Sequence, residues 1–240
     1  MSALRDIVDS SSRIVFFGGA GVSTESGIPD FRSAGGLYNG ASGGSYTPEE
    51  MLSRTFFDAH TDEFFDYYRT NLVHADAKPN QAHLALMTLE RKGKLSAVIT
   101  QNIDGLHTMA GSKRVLELHG SIYRNTCMEC GARYGLEKIL DSIGIPRCDL
   151  CGGIVKPDVV LYEEALGNDV INQSVEELAR ADTLIVGGTS LAVYPAAGLI
   201  RAFQGDELIL INRDSTPYDA MATLVIHNPI GETLAEFIDN

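Results

Sequence analysis

Short runs of apolar residues, each stopping at glycine or a polar side chain, recur along the chain: Ile14 to Phe17, Ala97 to Ile99, Val115 to Leu118, Leu184 to Val186, Leu208 to Ile211 and Leu224 to Ile226. A strand covered on both faces needs an unbroken apolar run of this kind, so the runs predict a buried parallel sheet. Between them the spacing becomes helical over Pro48 to His74, Asn80 to Arg91, Asp169 to Arg180 and Pro195 to Phe203, several of these opened by proline or a polar cap. Strand and helix in alternation predict an α/β fold with a doubly wound, mostly parallel sheet. The alternation lapses between Gly120 and about Asp158, where cysteines, a Gly-Gly pair and a Pro-Arg step interrupt it. Residues 120–158 are therefore expected to form a small inserted module, with adjoining segments around 33–75, and residues 1–119 and 159–240 the larger domain. The glycine-serine patch Asn39 to Ser45 reads as a mobile loop.

The cysteines change the picture of the insert. Cys127 and Cys130 form one C-x2-C pair, Cys148 and Cys151 another, and seventeen residues separate them, a spacing that folds two knuckles onto one tetrahedral ion. One zinc bound by all four thiolates leaves no open position for water or substrate. The expected role is structural, with about 10 to 16 kcal/mol of binding energy by analogy with isolated zinc peptides. Such use of thiols belongs to a reducing compartment, and the first residues lack the apolar core of a signal peptide, so the expected location is cytoplasmic. Thirty-two acidic against nineteen basic residues give a formal charge of −13, which argues against nucleic acid as a partner. No segment is long and apolar enough to suggest a membrane span. The oligomeric state is not legible.

Candidate chemistry gathers at the strand ends. Ile14 to Phe17 runs into Gly18-Gly19-Ala20-Gly21-Val22-Ser23-Thr24-Glu25-Ser26-Gly27, where small residues would let backbone N–H groups reach a pyrophosphate at a helix N-terminus, a Rossmann-like arrangement. The dehydrogenase fingerprint fails, because Thr24 stands where its third glycine belongs, and no Gly-Lys-Ser or Gly-Lys-Thr follows for a Walker loop. After Ala97 to Ile99 come Gln101, Asn102, Ile103, Asp104 and His107; after Val115 to Leu118 comes His119. Gly188-Thr189-Ser190 and Asn212 follow two more runs. In an open parallel sheet the carboxyl edge is where ligands bind, so these groups could converge on one crevice. Taken singly, each is as readily a loop cap, and His107 reads first as a structural imidazole.

Taken in order, these stretches, with Ser26 to Arg32 and Lys156 to Val160, resemble the sirtuins, NAD-dependent protein-lysine deacylases, over nearly the whole chain. The resemblance implies that NAD is the co-substrate and acetylated-lysine proteins or peptides are the partners. It puts Ala20, Thr24, Phe31 and Arg32 at the phosphate and nicotinamide end. Gln101, Ile103 and Asp104 would complete the ribose and nicotinamide pocket, with Asn102 in the same place. Thr189, Ser190 and Asn212 would hold the adenosine half, with Ile230 near the adenine. Val159, Val160, Leu161 and Tyr162 would pair with an extended peptide by backbone recognition.

The chemistry so implied is acyl transfer to ADP-ribose without a reducing step. His119 would be the general base, a contribution of about 10²- to 10⁴-fold, with Asn102 and Asp104 orienting nicotinamide and solvent. Arg32 would offset pyrophosphate charge, and the loop after it would order over bound NAD. Members that remove acidic acyl groups carry a Tyr and an Arg three apart on the helix after the cofactor loop. Here Phe64-Phe65-Asp66-Tyr67-Tyr68-Arg69 lacks that pair and Asp66 would repel a carboxylate, so deacetylation is expected over desuccinylation. The competing readings are protein mono-ADP-ribosyl transfer from the same pocket and a non-enzymatic NAD-sensing adaptor.

Overall fold

All six apolar runs enter one parallel sheet. The computed structural model describes residues 2–31, 35–38 and 46–238. The strands are β1 (Ile14–Gly18), β2 (Leu95–Thr100), β3 (Val115–Glu117), β4 (Gly120–Cys127), β5 (Arg133–Tyr134), β6 (Val155–Val159), β7 (Thr183–Gly187), β8 (Glu207–Ile211) and β9 (Leu224–Ile226). The helices are α1 (Ala3–Ser10), α2 (Pro48–Met51), α3 (Arg54–Ala59), α4 (Thr61–Asn71), α5 (Gln81–Arg91), α6 (Leu106–Ala110), α7 (Glu137–Leu140), α8 (Asn168–Arg180) and α9 (Ile230–Leu234).

The main sheet runs β3-β2-β1-β7-β8-β9. Its order reverses on either side of β1, which pairs in parallel with β2 and with β7 so that Gly18 lies level with Thr100 and Gly187. Such a reversal opens a crevice at the carboxyl edge. Successive residues of β1 feed opposite faces: Ile14 and Phe16 join a core with α1, α5 and α9, whereas Val15 and Phe17 join one with α8 and the short helix after Pro195. Burying one such aromatic or aliphatic side chain contributes about 1.5–3 kcal/mol. No helix of the described chain is long and apolar enough to cross a membrane.

The insert differs from its expectation. Residues 120–159 contain an antiparallel sheet, β5-β4-β6, where no strand periodicity was evident. Tyr123 and Arg124 are both exposed side by side in β4, and the β4/β6 register shifts between Gly120 and Asn125, so alternation is broken within one strand. A third core joins this sheet to α3 and α4 through Phe57, Phe64, Phe65, Tyr68, Ile122 and Val155.

Two predicted helices also change. The stretch 48–74 divides into α2, α3 and α4: Thr47 closes a capping box at α2, and the Ser53 hydroxyl accepts the Phe56 N–H to start α3 afresh. Residues 196–202 form a 3-10 helix instead of an α-helix. Helix α1, capped by Ser2, was not anticipated. The glycine-serine patch 39–45 lies outside the described residues.

Candidate active site

The carboxyl ends of β1, β2, β7 and β8 open on a cavity of about 450 Å³ that also reaches α4 and the chain after β6. Ala20, Thr24 and Phe31 line it from the glycine loop, and Gln101, Asn102, Ile103 and Asp104 from the end of β2. His119 stands beside them, Val159, Val160, Leu161 and Tyr162 form a further wall, and Thr189, Ser190, Asn212 and Ile230 close the far side. Arg32, the remaining predicted contact, lies outside the described residues.

The glycine loop reaches this place by close packing. Gly188, at φ +59°, sits against the loop so tightly that a Cβ on it would lie 2.3 Å from the Val22 nitrogen. Its carbonyl accepts the Gly21 N–H at 2.8 Å, and the Val22 N–H bonds back to Gly19 at 3.0 Å. These amides are committed within the protein, and a 3-10 turn over Ala20–Val22 follows where an α-helix was expected. The small residues therefore serve close approach of backbone to backbone, and the expected use of several loop N–H groups on a phosphate is reduced accordingly.

Behind the loop a buried polar network sets Asn102 and Asp104. Ser23, whose part in this the sequence did not reveal, donates from Oγ to Asp104 Oδ2 at 2.6 Å and accepts from Asn102 Nδ2 at 3.0 Å. The other Asp104 oxygen accepts the Leu106 N–H at 2.9 Å and so caps α6. Joined through Ser23 and anchored on the Leu106 N–H, such a network holds its members in place. On the opposite side Gln101 Nε2 donates to Thr189 Oγ1 at 2.9 Å, and the Thr189 N–H donates to Asn212 Oδ1 at 2.9 Å. The Asn212 amide nitrogen is buried with no partner among the described residues, a donor suited to a ligand that brings an acceptor. A cavity of this size, at the carboxyl edge of the sheet and with an unpaired donor on its wall, fits a nucleotide such as NAD. Ile230 contributes packing, since a Cβ on Gly187 would lie 2.2 Å from its Cδ1.

His119 Nδ1 lies 2.8 Å from the Gln101 carbonyl oxygen. A carbonyl can only accept, so the neutral ring carries its proton on Nδ1 and keeps the lone pair on Nε2. Burial pushes the imidazole below its ordinary range, opposed by that hydrogen bond, so it is neutral at pH 7. The next residue, Gly120, has φ +77° and pairs with Val159; a Cβ there would lie 1.8 Å from the Asp158 oxygen. The Val160 N–H then donates to the His119 carbonyl at 3.0 Å, which joins the wall 159–162 to the candidate base. His107 is fully buried against the His83 ring at 4.6 Å and does not line the cavity, in keeping with a structural imidazole.

The four cysteine sulfurs lie within 4.8 Å of one another. Cys127 and Cys151 are 3.5 Å apart and Cys130 and Cys148 3.6 Å, too far for a disulfide and close to the separation of about 3.8 Å that a tetrahedral Zn–S distance of about 2.3 Å implies. The donor set fits zinc. Two tight turns present it: the Cys127 N–H donates to Ala132, and the Cys148 N–H to Gly153, both at 2.8 Å. The Tyr134 hydroxyl donates to Cys148 Sγ at 3.1 Å, orienting that ligand.

A protein-family model described as the Sir2 family matches residues 19–195, the span from the glycine loop to just past Thr189 and Ser190. The chain belongs to the Sir2 family. The sirtuin resemblance read from the motifs is thus shared descent over most of the length. An NAD-dependent protein deacetylase of Clostridium acetobutylicum is 60% identical over 99% of this chain and 98% of its own. One from Clostridium perfringens is 56% identical over 100% and 98%. Among solved structures, a Sir2 with a p53 peptide and NAD+ superposes with a TM-score of 0.85 at 38% identity, covering 98% of this chain and 96% of that one. A Sir2 bound to acetylated peptide gives 0.84 at 36% identity, over 97% and 94%.

Proposed function

We propose that this sirtuin is an NAD-dependent protein-lysine deacetylase, which moves the acetyl group of N6-acetyl-lysine to the ADP-ribose of NAD and releases nicotinamide. When bound, NAD supplies the scissile nicotinamide–ribose bond and the hydroxyl that receives the acyl group. The observation that carries the reading is the tautomer of His119: a neutral imidazole with its lone pair on Nε2, on the wall of the cavity shared by the glycine loop and the stretch 159–162. That is what a general base for a sugar hydroxyl needs.

The residues divide the remaining work. Asp104 and Asn102, locked by Ser23, hold the polar inner wall rigid against the nicotinamide end, with Gln101 and Ile103 beside them. Ala20, Thr24, Phe31 and Arg32 contact the cofactor from the loop side, and Thr189, Ser190 and Asn212 from the adenosine side, with Ile230 supporting them. The N–H groups of Val160, Leu161 and Tyr162 are already taken by His119, Glu164 and Leu52, and the carbonyls of Val159, Leu161 and Tyr162 accept from Lys156, Glu164 and Arg54, so an extended peptide along this wall is received by the Val160 carbonyl and the second lone pairs of the others. Cys127, Cys130, Cys148 and Cys151 hold one structural zinc. Their thiolate use supports a cytoplasmic location.

Acetyl is favoured over acidic acyl groups, as the missing Tyr–Arg pair implied, but not through Asp66. Asp66 is exposed and pairs with Arg69, so it does not face the cavity. The Arg69 guanidinium is turned onto the carbonyls of Ile139 and Gly144, leaving no α4 cation for a carboxylate. The test is His119→Ala: deacetylation should fall by about 10²- to 10⁴-fold while NAD binding by calorimetry persists. Retained turnover would remove His119 from its role.

A further inference from the structure

Glu25 stands on the cavity wall in the last turn of the glycine loop, and its carboxylate ties that loop to a segment 206 residues further along the chain. Its Oε1 accepts the Gly231 N–H at 2.8 Å. Gly231 lies in the first turn of α9, where backbone N–H groups have no partner inside the helix. Pro229, which opens α9, makes no side-chain cap, so Glu25 supplies one from the glycine loop. A carboxylate there also meets the positive end of the helix dipole. The fit is close: a Cβ on Gly231 would lie 2.3 Å from Glu25 Oε2, and glycine is what lets the carboxylate approach. Ile230, one residue earlier, is buried, lines the cavity and packs on Gly187. The one bond therefore does two things for the cavity. It fixes the start of α9 under Ile230, and it keeps a negative charge on a helix end instead of leaving it free to oppose a pyrophosphate.

We infer that Glu25 is a positioning residue for the adenosine half of the cofactor, acting through Gly231 on Ile230 and leaving the reacting end to other groups. The inference rests on the placement of NAD proposed above. The groups at the reacting end are held independently of α9: Asn102 and Asp104 are joined through Ser23, and His119 is held on the Gln101 carbonyl. Removing the acceptor at position 25 thus frees the start of α9 without loosening the base or the nicotinamide wall. The adenosine half is bound alike before and during the chemical step, so a loss there weakens cofactor binding and leaves the turnover of bound substrate in place.

The experiment compares Glu25→Gln with Glu25→Ala, first by calorimetry with ADP-ribose and then by kinetics with NAD and acetyl-lysine peptide. Both variants are neutral, and only glutamine keeps an oxygen that can accept from Gly231, so their ratio separates the anchor from the charge. The Kd for ADP-ribose should be about three- to tenfold weaker in Glu25→Ala than in Glu25→Gln, the net effect of one lost hydrogen bond. The KM for NAD should follow it, while kcat, the KM for peptide and product inhibition by nicotinamide stay within about twofold between the two. Binding is read on folded protein, so a difference in melting temperature does not enter the ratio. Equal Kd values in the two variants, or a kcat that falls in Glu25→Ala as far as the KM for NAD rises, would overturn the inference. Absence of NAD-dependent cleavage of acetyl-lysine, with the two Kd values differing as expected, would instead overturn the deacetylase reading and leave the role of Glu25 standing.

Discussion

Because the Gln101 carbonyl can only accept a proton, His119 has to carry its own on Nδ1, and catalysis by Nε2 requires the ring to be neutral. Burial, the larger influence, lowers its pKa. The sign follows: protonation removes the base, so activity falls as pH drops, and a lowered pKa moves that fall below the ordinary imidazole value of about 6.5. The acid limb of kcat/KM against pH should therefore have its midpoint under about 6.5, with a slope of one proton; a midpoint at 7 or above would contradict the neutral, buried base. At this scale the sequence was informative where chemistry sits on strand ends. Gln101, Asp104, His119 and Asn212 were legible because a parallel sheet aims such residues at one edge. Ser23 was not, since a serine in a glycine loop reads as a turn former and only folding shows it between Asn102 and Asp104.

Among the elements, β4 connects the two halves of the site. It begins at Gly120, directly after His119, and ends at Cys127, one of the four cysteines whose placement suits zinc. Strand β6 runs back beside it from Val155 to Val159, the start of the proposed substrate wall. Zinc bound by the four cysteines would hold the far ends of this antiparallel pair, so its loss should reach His119 through the strands without any direct chemistry. Cys127→Ser should abolish the one zinc per chain, lower the melting temperature and reduce deacetylation together, as read by metal analysis, calorimetry and assay. A zinc-free variant that keeps both its melting temperature and its kcat would separate the metal from the fold. The cysteine spacing made the ion legible, but not the three-stranded sheet that carries its effect. In β4 the exposed pair Tyr123 and Arg124 and the shifted register erase the alternation by which strands are recognised. The helix expected over 48–74 failed for a related reason: periodicity continued across Ser53 and His60, while the Ser53 cap and the non-helical backbone of His60 started new helices.

For the molecule as a whole, the six apolar runs carried the main sheet and its two faces correctly, because burial on both sides leaves no other residue choice for β1, β2, β7 and β8. What they could not convey is how the insert and α3–α4 share a core, since those contacts join residues 52–68 to 122–161. That shared core brings Tyr68 and the stretch 159–162 to the cavity formed by the sheet edge, and it is why one space serves both cofactor and peptide. A single NAD-driven transfer is the simplest use of such a space, and its products decide the matter. With acetyl-lysine peptide and NAD, mass spectrometry should show nicotinamide, deacetylated peptide and O-acetyl-ADP-ribose formed in equal amounts, and none of them when either reactant is omitted. Nicotinamide released without deacetylation, with ADP-ribose attached to protein, or no nicotinamide at all, would contradict the account.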